Sequence, residues 1–222
     1  MPTTPNLERA ATAAAQILID FNVTSAPVAP MRILKAIPGV IVLSFSEMAT
    51  NIGMERRDLL DSFGDMSRDA FTLVKEVNGQ LRYFVGYNLL LPEYVMQRAI
   101  ARELGHIVLE HDGTRPEDVR LAEAMFFARH LLCPRPLIRA IQDADIPITV
   151  ETLGLITGCY ERCLIGLQKS HGVHVPPELN RRVREQFSAY INNFIDCRSI
   201  FTTGDDSMLV NFGSYMDNYS ED

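Results

Sequence analysis

The run PEYVMQRAIARELGHIVLEHD, from Pro92 to Asp112, constrains the fold more than any other stretch. Pro92 is typical of a first helical turn and Gly113 supplies a stop, so the run predicts about five turns of helix. At 3.6 residues per turn, one broad face is apolar and carries Met96, Ile100, Leu104, Ile107 and Val108. The opposite side carries Arg102, Glu103, His106 and Glu110. Because apolar residues flank this polar cluster as well, we expect a buried helix whose cluster points into a cleft.

The other segments predict an α+β fold that is mostly helical. Helices are predicted over residues 7–22, 30–37, 117–133, 137–143 and 176–195. A short apolar run predicts a strand over 40–45, and Asn78-Gly79 predicts a hairpin between strands 70–77 and 80–87. We expect these strands to form a small antiparallel sheet against the helix that begins at Pro92. Residues 46–63 are helical in character but broken at Gly53, so their register stays open.

Three regions are predicted along the chain: a domain over 1–145, a helical C-terminal region over 146–200, and an acidic amphipathic tail over 201–222. In the second region, Gly158 separates two short helices, an arrangement found both in helix-turn-helix units and in plain αα-hairpins. Between residues 149 and 170 the basic residues are Arg162 and Lys169, and Glu151 and Glu161 offset them, which favours the αα-hairpin. A long helix follows it.

Composition excludes several classes of function. The 222 residues carry a net charge of −7 without a basic stripe, which argues against direct binding of nucleic acid. No apolar run is long enough to cross a bilayer, and Glu8 and Arg9 interrupt the pattern of a signal peptide, so we expect a cytoplasmic protein. Cys159 and Cys163 lie one helical turn apart, which favours packing over a disulfide framework, with a zinc site as the minor alternative.

The predicted helix over 117–133 places Glu123 in the middle of an apolar stripe. A carboxylate in such a position is costly to bury unless a cation or a metal ion pairs with it. Because a short connection links this helix to the one that begins at Pro92, the two should lie antiparallel. Glu123 could then face His106, with Arg102 one turn away.

RELGHIVLEH, followed by AEAMFFARHLLCPRPLI, resembles the core of the ImmA/IrrE family of zinc-dependent peptidases over roughly residues 30–145. In that family one helix carries H-E-x-x-H and the next supplies a Glu in an E-A-N-x-F-A stretch. The resemblance implies a zincin-like core with Glu103 as general base, His106 as second zinc ligand and Glu123 as third. It also implies a partner, since members are associated with cleaving helix-turn-helix repressors.

The sequence departs from this pattern where the first histidine should stand, because Arg102 occupies that position; Met125 likewise replaces the Asn of E-A-N. Arginine has no lone pair to give a metal, and a catalytic zinc needs three protein ligands. We therefore expect an impaired site that binds little or no zinc, in a protein that binds a peptide or repressor without cleaving it. The alternative is an active zinc endopeptidase that cleaves a repressor. In either case the edge of the hairpin could accept an extended peptide.

Arg102 has a possible role of its own. Our hypothesis is that its guanidinium forms a bidentate ion pair with Glu123, or failing that with Glu103, and holds the two helices together without metal. Two alternatives remain. A metal site could shift along the helix to His106, Glu110 and Glu123, or Arg102, His106 and Glu110 could form an exposed ladder of i, i+4 neighbours.

Overall fold

The computed structural model describes residues 4–63, 69–158 and 172–201. Most of these residues are helical, and a small three-stranded sheet completes an α+β fold, as predicted. The chain divides into two compact units. One contains Met1–Pro5 and Ala29–Ala128, and the other contains Asn6–Val28 and the chain from Arg129 onwards.

The first unit contains the sheet and the helices around it. Its elements in chain order are α2 (Pro30–Ala36), β1 (Val40–Ser44), α3 (Phe45–Ile52), α4 (Arg56–Phe63), β2 (Ala70–Val77), β3 (Gln80–Tyr87), α5 (Glu93–Val108) and most of α6 (Glu117–Leu132). The segment whose register the sequence left open forms α3 and α4. They are separated at Gly53, which adopts the left-handed conformation that favours glycine at the end of a helix.

The sheet has the strand order β1-β3-β2. The predicted hairpin is confirmed, because β2 and β3 pair antiparallel across Asn78 and Gly79, which have φ of 54° and 74° as two-residue hairpin turns require. The prediction of a wholly antiparallel sheet is wrong, because β1 pairs parallel to β3. Between β1 and β3 the chain passes through α3, α4 and β2, and a connection of that length allows β1 and β3 to pair in parallel.

Helices contact both faces of the sheet near the start of β2 and the end of β3, and this positions the site. Helix α5 contacts β2, β3 and α2, so the predicted packing of this helix against the sheet is confirmed. On the opposite face, Phe71 of β2 stacks on Phe45 with ring centroids 5.4 Å apart. A Cβ at Gly86 would lie 2.9 Å from the Phe71 ring, so β3 needs glycine beside it. Because side chains alternate along a strand, Thr72 points to the face that α5 covers.

All the regular secondary structure among the described residues of the second unit is helical. It contains α1 (Leu7–Asp20), α7 (Arg135–Gln142), α8 (Val150–Thr157), α9 (Pro177–Gln186) and α10 (Ser188–Phe201). Helix α9 contacts both α1 and α7. The helix predicted over 176–195 is observed as α9 and α10, which are separated in the chain by the fully buried Phe187.

Several predicted features lie outside the described residues. They are the second helix of the αα-hairpin, the cysteine pair Cys159 and Cys163, and almost all of the acidic tail. Among the helices that the structure describes, none has the length and apolar character needed to cross a membrane.

Candidate functional site

Helix α5 ends earlier than predicted, and its end places His111 beside His106. The helix stops at Val108, and Glu110 adopts a positive φ of 52°. The Glu110 N–H donates to the Ile107 carbonyl and the His111 N–H donates to the His106 carbonyl, both at 3.0 Å. These two bonds form a Schellman motif, which folds the chain back over the last helical turn. The two imidazole rings consequently lie edge to face, with centroids 5.0 Å apart.

A continuous row of polar contacts extends from His106 to Arg115. His106 Nδ1 and His111 Nδ1 are 2.9 Å apart, and His111 Nε2 lies 2.9 Å from Glu123 Oε2. Arg115 donates from Nη1 to Glu123 Oε2 at 2.9 Å and from Nη2 to Oε1 at 2.8 Å. The Glu123 side chain is 0% exposed, so its charge depends on these partners for compensation.

Close packing of α5 against α6 brings Glu123 to this row. A Cβ at Gly105 would lie 3.0 Å from the Phe127 ring and 3.1 Å from the Ala124 carbonyl oxygen. A side chain at this position would require Phe127 or the α6 backbone to shift, so glycine favours the close approach of the two helices. Since Glu123 directly precedes Ala124 in α6, its carboxylate lies near the end of α5.

The connection between α5 and α6 supplies the cation. Asp112 Oδ1 accepts from the Thr114 N–H at 3.0 Å, which closes a local turn typical of Asp. Arg120, in the first turns of α6, donates from Nε to the Arg115 carbonyl at 3.1 Å. These contacts fix the connection at both sides of Arg115 and direct its side chain towards Glu123.

A second polar cluster links α5 to β2. Arg102 donates from Nε to Glu103 Oε1 at 2.9 Å and from Nη2 to the Ala70 carbonyl at 2.8 Å. Thr72 Oγ1 donates to the other Glu103 oxygen at 2.9 Å. Both oxygens of the buried Glu103 carboxylate are therefore engaged, and the Arg102 guanidinium spans from the helix to the start of the strand.

Burial dominates the electrostatics of both clusters. It raises the pKa of Glu103, against the opposing effects of Arg102 and Thr72. It lowers the pKa of His106 to about 3, and the charges of His111, Arg102 and Arg120 act in the same direction. His106 is consequently neutral at neutral pH and has one donor and one acceptor nitrogen.

The hypothesis that Arg102 pairs with Glu123 and holds the two helices together is wrong. The fallback pairing with Glu103 is observed, but it lies within α5, and Arg102 links that helix to β2. The reason is geometric. Arg102 lies on the part of α5 that faces β2, whereas Glu123 meets the last turn of α5 and the connection beyond it. The cation that neutralises Glu123 is Arg115, a residue to which the sequence analysis gave no role.

The two alternatives involving Glu110 are also wrong. Glu110 lies beyond the end of α5 and is exposed, while Glu123 is fully buried, so these two side chains do not share a site with His106. Because α5 ends at Val108, Glu110 is also not part of an i, i+4 series with Arg102 and His106 along the helix. Arg102 is 19% exposed at its side chain and is occupied by Glu103, so it does not belong to a solvated face either.

The donors present do not fit a zinc ion as they are arranged. Zinc needs its ligands at about 2.0–2.2 Å from one point. His111 contacts His106 through Nδ1 and Glu123 through Nε2, so its ring separates the other two ligands, and Arg115 holds both Glu123 oxygens. Within the described ranges, no three His, Cys, Asp or Glu side chains converge in a way that could hold a metal.

The sequence pattern identified His106, Glu103 and Glu123, but it did not identify His111, which links His106 to Glu123, or Arg115, which pairs with Glu123. The sequence does contain a signal for Arg115, because this residue is a cation in the short connection between α5 and α6 and could be predicted to pair with Glu123. His111 had none, since its position depends on the left-handed turn at Glu110. Comparisons of this chain with models of protein families, with curated proteins and with solved structures find no match.

Proposed function

We propose that this protein is a non-hydrolytic relative of the ImmA/IrrE peptidases that binds an extended segment of a partner, a peptide or a helix-turn-helix repressor, without cleaving it. One observation carries the proposal: each of the two carboxylates that the peptidase chemistry would use, at Glu103 and Glu123, is held by a guanidinium. The order of the sheet, the motif helix and the second helix agrees with the resemblance seen in the sequence.

The engaged carboxylates argue against hydrolysis. A general base must reach the proton of an attacking water, but both Glu103 oxygens already accept hydrogen bonds from Arg102 and Thr72. A zinc ligand must direct a lone pair at the metal, but Glu123 accepts from Arg115 at both oxygens. Displacing these donors means breaking charge-assisted hydrogen bonds in a buried site, each worth about 1.5–3 kcal/mol.

Strand β2 supports the binding half of the proposal. It is an edge strand in the described sheet, and within the ranges that the structure covers no strand pairs with its outer side. Val74 is 51% exposed and lies on the same face of β2 as Thr72, which is the face that α5 contacts. An extended segment added beside β2 by main-chain hydrogen bonds would pass the Arg102–Glu103 pair and could place a side chain against Val74.

Metal content tests the loss of hydrolytic chemistry. The unmodified protein, purified without chelator and dialysed against micromolar zinc, should retain well under one zinc per chain. Arg102→His restores a ligand, and Arg102→His/Arg115→Gln also releases Glu123, so the double variant should retain the most zinc. Arg98→His, which adds a histidine one turn earlier in α5, is the matched control and should behave like the unmodified protein. Near-stoichiometric zinc in the unmodified protein would refute the proposal and favour the active endopeptidase.

Peptide binding tests the other half. Overlapping peptides from helix-turn-helix repressors should include segments that bind and remain intact after prolonged incubation with zinc. Val74→Lys places a charge at the edge of β2 and should weaken that binding at least about tenfold. Leu81→Lys, at an exposed position of the central strand β3, is the control and should not weaken binding, because both edges of β3 are already paired. Cleavage of the bound peptides, or equal binding by both variants, would contradict the proposal.

A further inference from the structure

The second unit contains a cavity of about 650 Å³ that the site described above does not use. Its walls come from α1, α7 and α9, from the last turn of α6, and from the chain just before α9. The volume lies within the range of about 300–1,000 Å³ that small-molecule sites occupy. The cavity is therefore large enough to accommodate a ligand of modest size.

The lining separates into an apolar part and a cationic part. Pro136 of α7 and Val173 and Val175, in the chain just before α9, supply half-buried apolar surface. The charged residues that line the cavity are all basic, since arginines at 135, 139, 181 and 184 contribute and the described lining contains no aspartate or glutamate. A ligand that matches both parts must have an apolar body and a negative group.

The positive charge is concentrated on α7. Arg181 is paired with Glu178 and Glu185, and Arg184 is paired with Asp143, so carboxylates outside the cavity offset these two. Arg139, in contrast, has no carboxylate within ion-pair distance among the residues that the structure describes.

Two neighbouring groups respond to this charge. The pKa of Arg135 is lowered by burial and further by the Arg139 guanidinium, although Arg135 stays charged at neutral pH. Burial also lowers the pKa of His130 to about 4, and the charges of Arg135 and Arg129 add to that effect. An anion bound at this wall would relieve the repulsion between the Arg135 and Arg139 guanidiniums.

We propose that this cavity binds an amphipathic anion, with a carboxylate or phosphate group held by Arg135 and Arg139 and a hydrocarbon body against Pro136, Val173 and Val175. Guanidinium forks bind both kinds of head group in a bidentate manner. The apolar lining residues supply affinity in proportion to the hydrocarbon area that they cover. This site is independent of the peptide-binding function proposed above, because it lies in the other unit.

Calorimetric titration of the full chain with four probes, each below its critical micelle concentration, tests the proposal. Decanoate and decyl phosphate carry the two head groups, while decanol and decyltrimethylammonium keep the hydrocarbon chain without negative charge. We expect one saturable site per chain for at least one of the two anions, with at least about tenfold weaker binding of both controls. Which anion binds more tightly identifies the head group.

Variants locate the site. Arg139→Gln removes an exposed charge and should weaken binding of the anion at least about tenfold, whereas Arg182→Gln removes a neighbouring charge on α9 that does not line the cavity and should not. Val175→Ser removes apolar surface from the cavity and should weaken binding of decanoate more than binding of inorganic phosphate. Absence of saturable binding, equal binding of decanol, or equal effects of Arg139→Gln and Arg182→Gln would each overturn the proposal.

Discussion

Replacing Arg115 with Gln should destabilise the first unit more than any other single change of an arginine at the candidate site. The substitution removes both charge-assisted hydrogen bonds that Glu123 receives from a guanidinium. Glu123 is completely buried, and its contact with His111 remains. A buried carboxylate is then left without its principal counter-charge.

The structure sets the size of the effect. Removing one partner of a buried ion pair costs about 3–5 kcal/mol, because the other charge stays buried and uncompensated. Arg115 is 16% exposed at its side chain, and His111 still contacts one Glu123 oxygen, so partial solvation and the remaining bond reduce that cost. We therefore expect the free energy of unfolding to fall by about 3 kcal/mol.

Urea denaturation followed by circular dichroism measures the change. Arg115→Gln/Glu123→Gln should be more stable than Arg115→Gln alone, since the double variant buries no unpaired charge. Arg57→Gln is the matched control, because Arg57 is 92% exposed and lies 4.0 Å from Asp61, and it should change stability very little. A loss below about 1 kcal/mol in Arg115→Gln, or a double variant less stable than Arg115→Gln, would refute the argument.

Two further predictions concern pH and packing. The native pKa of about 4 at His130 lies below its unfolded value, so its contribution to stability is complete above pH 6.5 and is lost as the pH falls towards 4. Between pH 7 and pH 5, His130→Gln should therefore lose about 2 kcal/mol less stability than the unmodified protein, and equal losses would contradict this. Gly105→Ala should lower stability by about 1–3 kcal/mol, because the new Cβ meets Phe127 and the Ala124 backbone. Gly113→Ala, where a Cβ meets nothing within 4 Å, is its control, and equal unfolding midpoints for the two would refute the packing argument.

The sequence predicted the elements that depend on local chemistry. Asn78-Gly79 determines a hairpin by itself, because both residues tolerate positive φ, and the two strands end where they were predicted to end. The apolar pattern of α5 likewise predicted a buried helix packed on the sheet, and the stripe around Glu123 predicted a buried carboxylate in need of a cation.

The failures involve choices that no local pattern determines. Parallel pairing of β1 with β3 depends on the path of the chain through α3 and α4. The end of α5 depends on Glu110 adopting a conformation that usually favours glycine, so Gly113 was the more visible stop signal. The partner of Glu123 depends on the reach of a long side chain in the connection, which hydrophobic periodicity does not describe.

Two arginines, rather than one, account for the proposed loss of hydrolytic function. Arg102 occupies the position of the first histidine in the family's motif and engages Glu103, while Arg115 engages Glu123, so the proposed general base and a proposed zinc ligand are each held by a guanidinium. Arg102→His supplies a ligand but leaves Glu123 occupied, and Arg115→Gln releases Glu123 but leaves Arg102 in place. The two changes should consequently be non-additive for zinc affinity, with the gain in the double variant exceeding the product of the gains in the single variants. Additive gains would mean that Arg102 and Arg115 act on separate sites.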